Sequence, residues 1–123
     1  MLNTHEVLRQ RLLLRAGLGP AVKAKYRLED LENSEWSPSF ERLMRNRLIM
    51  GALRYGTLAV KKCKSHRWDL VGAVQRKIQS YETTGNTEYL VDAANYCLLE
   101  FECGNHPLKH FDALDDQDHC RVV

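Results

Sequence analysis

Glu88 and Asp92 are the residues whose types and spacing most directly suggest chemistry. They stand four apart, so on a helix both carboxylates project from one face. Such a pair can hold Mg²⁺, a hard cation that takes oxygen ligands and often bridges to substrate phosphates. Asn95, one turn further on, offers an amide oxygen or a hydrogen bond to a base or sugar. With Glu102 these residues share an arc of roughly 80° at about 100° per residue. The bland alternative is that Glu88 and Glu102 are solvated, while Asp92 and Asn95 satisfy Arg47 and backbone ends. Arg47 and Arg54 fall within the apolar face of the long preceding segment. An arginine aimed at a core needs a carboxylate or a phosphate to face it. Asp92, Glu88 and Glu100 are the internal candidates and a nucleotide phosphate the external one. The third alternative is that both side chains snorkel to water.

Two further constellations are present. Cys63-Lys-Ser-His66 and Cys103-Gly-Asn-His106 are two C-x-x-H pairs that together supply four ligands suited to tetrahedral zinc. Both would follow helices running the same way in an up-down bundle, so their ends could meet. His110, His119 and Cys120 are reserve ligands. Against zinc, the spacing is short and common, and His106 and His110 serve equally as helix caps or tail packing. Lys61, Lys62, Lys64, His66, Arg67 and Trp68 join a basic run to an aromatic ring, as a single-strand nucleic-acid contact would. No helix-turn-helix register, zinc finger or RNA-binding signature supports them, so they read as a charged loop. Neither a G-x-S-x-G elbow nor a phosphate-cradling G-x-x-x-x-G-K-[ST] loop occurs.

The elements that must position these side chains are helices. No stretch alternates with a two-residue period, and the fold class expected is an all-α compact bundle of four to five helices. Asn3 with Glu6 opens the first, lined by Leu8 and Leu12, and Gly17 and Gly19-Pro20 close it. Residues 20–32 read as a short second helix or a helical turn, with Glu29, Asp30, Glu32 and Glu35 as a solvated acidic patch. Ser37-Pro38 is a helix start, serine as cap and proline at the first position. That helix runs 38–55, with Phe40, Leu43, Met44, Leu48, Met50, Gly51 and Tyr55 on its apolar face. Residues 57–67 read as a basic connector, with a continued helical turn at its start as the alternative. Trp68 or Asp69 opens a helix to about Tyr81, and Thr83-Thr84-Gly85 turns into the central helix, 86–103. Asn86 is its expected cap and Gly104 its stop. Because it is apolar nearly all round it is expected to be buried, with Cys97 a small core hydrophobe. Its spare apolar surface suggests a homodimer. The tail carries His106, Leu108, His110 and Phe111, which could fold back on the bundle. A single domain over 1–111 and a mobile acidic tail over 112–123 are expected.

The 123 residues suit one domain with a real core. No apolar run approaches the roughly 18–20 residues needed to cross a bilayer, so a cytoplasmic protein with reduced cysteines is expected. The net charge of +2 hides segregation. Residues 41–77 hold ten bases against two acids, and residues 78–123 hold nine acids against two bases. Either these segments neutralise each other across the fold, or a basic surface meets phosphate.

The segment Phe40 to Gly56, followed by the helix after Asn86, resembles a family of small all-α proteins often encoded by phages and prophages. The matching elements are Arg47-Leu48, Gly51, Arg54-Tyr55-Gly56, Gly85-Asn86, Glu88, Leu90, Asp92, Ala94-Asn95, Leu99-Glu100-Phe101, His106-Pro107 and His110-Phe111. The pattern is also distantly similar to the MazG-like nucleoside triphosphate pyrophosphohydrolases. Those are helical bundles, often oligomeric, that hold Mg²⁺ on carboxylates of two helices and cleave between the α and β phosphates. Their E-x-x-D motif has a loose counterpart in Glu88 and Asp92, with one extra residue between. Their E-E-x-x-E motif has only Glu29, Asp30 and Glu32. The resemblance implies Mg²⁺ on Glu88 and Asp92, and phosphate oxygens on Arg47 and Arg54, in an enzyme or in a relative that binds a nucleotide without cleaving it. The alternative is a non-enzymatic accessory or inhibitor that docks a host protein through its charged faces.

Overall fold

The computed structural model describes residues 4–15, 27–64 and 68–112. The expected Asn3–Glu6 capping box, the closing glycines of the first helix, residues 20–26, His66, Arg67, His119 and Cys120 lie outside what is described, as do the side chains of Glu6 and Lys64. Six helices and no strand occur among the described residues, so the chain is all-α. They are α1 (Thr4–Arg15), α2 (Leu28–Ser34), α3 (Pro38–Tyr55), α4 (Leu58–Lys64), α5 (Leu70–Thr84) and α6 (Glu88–Cys103). No helix among these residues is long and apolar enough to cross a membrane.

The chain divides into two compact units, residues 37–110 and residues 1–36 with 111–123. The smaller unit holds α1 and α2. Its acidic patch is helical: Glu29 and Asp30 sit in the first turn of α2, where carboxylates complement the helix dipole.

The larger unit is built around α6, which packs on α3, α4 and α5. Ser37 caps α3 as its position predicts, its Oγ accepting from the Phe40 N–H at 3.1 Å, with Pro38 in the first turn. The basic connector is a correction: residues 58–64 form α4. Leu, Ala and Lys favour a helix, and no glycine or proline interrupts the stretch after Gly56. Asp69 caps α5, accepting from Gly72 N–H at 3.0 Å. This helix runs three residues past Tyr81. Gly85 then closes it at φ +71°, a left-handed conformation that glycine adopts without a Cβ penalty, and donates to the Tyr81 carbonyl at 2.8 Å.

At α6 the cap residue is Thr87, yet Asn86 still does the work expected of it, its Oδ1 accepting from Glu88 N–H at 3.0 Å. Gly104 stops the helix in extended backbone, and a Cβ there would run into the Glu100 carbonyl and side chain. Lys109 Nζ donates to the Gly104 carbonyl at 3.0 Å, a cation at the negative end of the helix. Val91, Asn95, Leu99 and Cys103 are buried and recur every turn, and Ala93 is buried as well, about 80° further round the helix from Cys103. Cys97 and Phe101 are exposed, which corrects the expectation of a helix buried on all sides. Three neighbours cover only part of its circumference. Leu108 and Phe111 are exposed too, so their side chains are not packed away as a fold-back of the tail would require.

Candidate functional site

The polar arc of α6 and its buried face are the same face. At about 100° per residue, Glu88, Asp92, Asn95 and Glu102 fall among Val91, Leu99 and Cys103. Neighbouring helices meet this arc with cations. Arg47 on α3 donates through Nε to Asp92 Oδ1 at 3.0 Å and through Nη2 to Asp92 Oδ2 at 3.2 Å. The same Nη2 lies 2.8 Å from Glu88 Oε1. The hydrogen bonds to Asp92 outweigh the cost of desolvation and, with the charges of Asp92 and Glu88, hold the Arg47 guanidinium above its ordinary pKa. Lys77 on α5 reaches Asp92 Oδ2 at 3.5 Å and lies over the Tyr89 ring, 5.4 Å from its centroid. Lys62 on α4 pairs with Glu102 at 3.4 Å. The basic and acidic segments therefore neutralise each other in part, as one reading of the sequence anticipates, and Arg47 takes Asp92 and Glu88 from the three internal partners considered.

Next to the clamp lies a pocket of about 230 Å³. Arg47, Arg54, Lys61 and Lys77 line it, with Asp92 as its one carboxylate. Asn95, Tyr55 and Tyr96 add polar groups, and Leu48, Met50 and Leu99 add apolar wall. Asn95 Nδ2 donates to the Met44 carbonyl at 3.1 Å, whereas its Oδ1 is buried and has no hydrogen-bond donor. A second recess of about 320 Å³ opens on the other side of Arg47, bounded by Leu43, Asn86, Thr87, Glu88 and Val91.

The structure thus gathers Arg47, Arg54, Asn95 and Asp92 at one pocket, with Glu88 behind Arg47. Lys77 is the site residue that sequence reasoning missed, and Lys61 enters it only as part of a basic run at a nucleic-acid contact or charged loop, not at this pocket. Lys77 carries the signal that reveals Arg47: it falls in the apolar stripe of its helix, between Val74 and Tyr81. Lys61 is hidden by the reading of 57–67 as a loop, and only the helical state of α4 turns it inward.

Glu88 and Asp92 both accept from the Arg47 guanidinium, so a cation between them would compete with that arginine for the same oxygens. No group of three or more His, Cys, Asp or Glu suited to a metal occurs among the described residues. Of the zinc candidates, Cys103 is buried on α6, Cys63 Sγ lies 3.6 Å from the Ala59 carbonyl, and His106 Nδ1 accepts from the Leu108 N–H at 3.0 Å. His110 Nδ1 lies 2.8 Å from the Leu108 carbonyl. Comparison with family models, curated proteins and solved structures gives no match, so the site's own chemistry carries the functional argument.

Proposed function

We propose that this chain handles nucleotides, holding a phosphate-bearing ligand in the pocket between α3, α4, α5 and α6. The observation that carries this reading is the charge imbalance of the pocket, four cationic side chains against one carboxylate. Convergent cations in a partly apolar recess favour a phosphate over a neutral ligand. The similarity to phage-type proteins and to Mg²⁺-dependent pyrophosphohydrolases admits two versions, cleavage and binding without cleavage. The engagement of Glu88 and Asp92 by Arg47 favours the second.

The test is incubation of the purified protein with NTPs, dNTPs and cyclic dinucleotides in Mg²⁺ or Mn²⁺, read by ion-exchange chromatography before and after denaturing the protein. Nucleotide that disappears and returns unchanged supports the binding version. A monophosphate product establishes the pyrophosphohydrolase version. No change in any nucleotide overturns both.

A second reading, a non-enzymatic accessory or inhibitor of a protein partner, draws support from exposed charge and exposed apolar side chains. Glu29, Asp30 and Glu32 on α2 are exposed, and Ile49 and Leu53 stand one turn apart on α3, Leu53 at 85% exposure. A second copy seated on this α3 face would be a homodimer other than the one the sequence suggests, which uses the spare apolar surface of α6. Light scattering on the purified chain, with and without Leu53→Glu, separates a homodimer from a monomer that awaits a different partner.

A further inference from the structure

Two side chains at the pocket are buried without the partners that burial ordinarily requires. Lys61 is 7% exposed, forms no salt bridge with any described residue, and has its ammonium over the Trp68 ring, 6.0 Å from the centroid. Asn95 is also 7% exposed, and its Oδ1 lacks a donor. A buried carbonyl without a donor costs free energy in the empty protein, and the Lys61 ammonium, carried on a largely buried side chain that lines the pocket, has no carboxylate of a described residue paired with it.

Resting on the nucleotide reading, we infer that the ligand is a phosphomonoester of mononucleotide size whose phosphoryl oxygens meet Lys61 and Arg54 and whose N–H or O–H donor meets Asn95 Oδ1. The chemistry of the two orphaned groups is complementary to such a molecule: one asks for an anion, the other for a donor. Arg54 stands at the mouth, exposed and free of any ion pair with a described residue, so it adds to Lys61 without first breaking a contact. Arg47 differs, because its guanidinium is already committed to Asp92 and Glu88. At about 230 Å³ the pocket is below the roughly 300–1,000 Å³ of drug-sized sites, which suits one phosphoryl group and one ring better than a dinucleotide.

The test is calorimetric titration of the full chain with methyl phosphate, ribose 5-phosphate and the four nucleoside monophosphates, together with thermal unfolding of the ligand-free protein. Methyl phosphate supplies the anion and no donor on its organic part. At least one sugar- or base-bearing probe is expected to bind ten times more tightly than methyl phosphate. Lys61→Met is expected to lower affinity for every bound probe at least tenfold while leaving the ligand-free melting temperature unchanged or higher, because a largely buried side chain without an ion pair becomes apolar and no salt bridge is lost. Lys61→Arg keeps the charge and is expected to retain binding. Failure of every probe to bind the wild-type chain would refute the nucleotide reading itself. Binding that survives Lys61→Met, a lower ligand-free melting temperature in that variant, or equal affinity for methyl phosphate and all other probes would overturn this inference and leave the broader reading standing.

Discussion

Asp92→Asn is the substitution that most sharply separates an anion pocket from a metal site. In the structure Asp92 is 12% exposed on its side chain and accepts two hydrogen bonds from Arg47, whose side chain is 40% exposed. Exposed ion pairs contribute about 0–1 kcal/mol, whereas breaking a fully buried pair costs about 3–5 kcal/mol. The half-covered geometry here places the loss at about 2 kcal/mol. For a cooperative unit of the size of residues 37–110 that is a fall of roughly 8–16 °C in melting temperature. Arg47→Met completes a double-mutant cycle, and the pair of changes together is expected to cost at least about 1 kcal/mol less than their sum.

The same variant has an opposite expected effect on ligand. Removing the one carboxylate that lines the pocket takes away repulsion of about 1 kcal/mol toward a phosphate some 6 Å distant at a high effective dielectric. Phosphomonoester affinity is therefore expected to rise roughly fivefold, measured by calorimetry below the melting transition. Were Asp92 instead a Mg²⁺ ligand, Asp92→Asn would abolish Mg²⁺-dependent binding and turnover. Loss of affinity in this variant, with the fold intact by circular dichroism, refutes the reasoning. So does additivity within about 0.5 kcal/mol in the cycle, which would mean that the Arg47 clamp holds nothing.

Ser37→Ala removes the acceptor of the Phe40 N–H and is expected to cost about 1 kcal/mol, read by urea unfolding. Arg47 titrates above the ordinary arginine range because Asp92 favours its charged form. A raised pKa gives stability that is complete below the unfolded value and lost only as pH rises through the folded one. Arg47 itself is thus expected to contribute no slope to stability between about pH 6 and 11, checked by comparing wild-type and Arg47→Met melting curves across that range. Cys97 is exposed and Cys103 is buried, so brief alkylation of the native chain followed by peptide mapping is expected to label Cys97 well before Cys103. Equal labelling would mean that α6 is not covered as described.

How much of this was legible follows from which forces are local. The start and stop of α3 were readable because Ser37, Pro38 and Gly56 act on their own turn of backbone. The stretch 57–64 was not, because a run of lysines looks like a loop when charge is weighed ahead of helix propensity. The polar arc of α6 was visible as a pattern, and so was the conflict of Arg47 within an apolar face, but neither says which arc meets which helix. Cys97 was misread for a related reason. A helix apolar nearly all round signals burial only when neighbours exist to cover every side, and that number is a tertiary fact.

The arrangement around α6 also explains why the pocket sits where it does. Each neighbouring helix sends a cation toward the same arc: Arg47 from α3, Lys62 from α4 and Lys77 from α5. The acids of the arc absorb these three. Lys61 and Arg54 belong to α4 and α3 as well, yet neither forms an ion pair with an acid of α6: Glu102 is engaged by Lys62, Asp92 by two cations already, and Glu100 falls outside the arc, about 80° round the helix from Asp92. A protein selected only for stability would lose little by replacing Lys61 with an apolar residue, because no ion pair with a described residue rewards its charge and the Trp68 ring, at 6.0 Å, is its one cation–π contact among the described residues. The surplus is local, it lines a cavity, and it adjoins the unsatisfied oxygen of Asn95. A charged ligand that carries a donor resolves both deficits at once, which neither neutral packing nor a further internal ion pair would do.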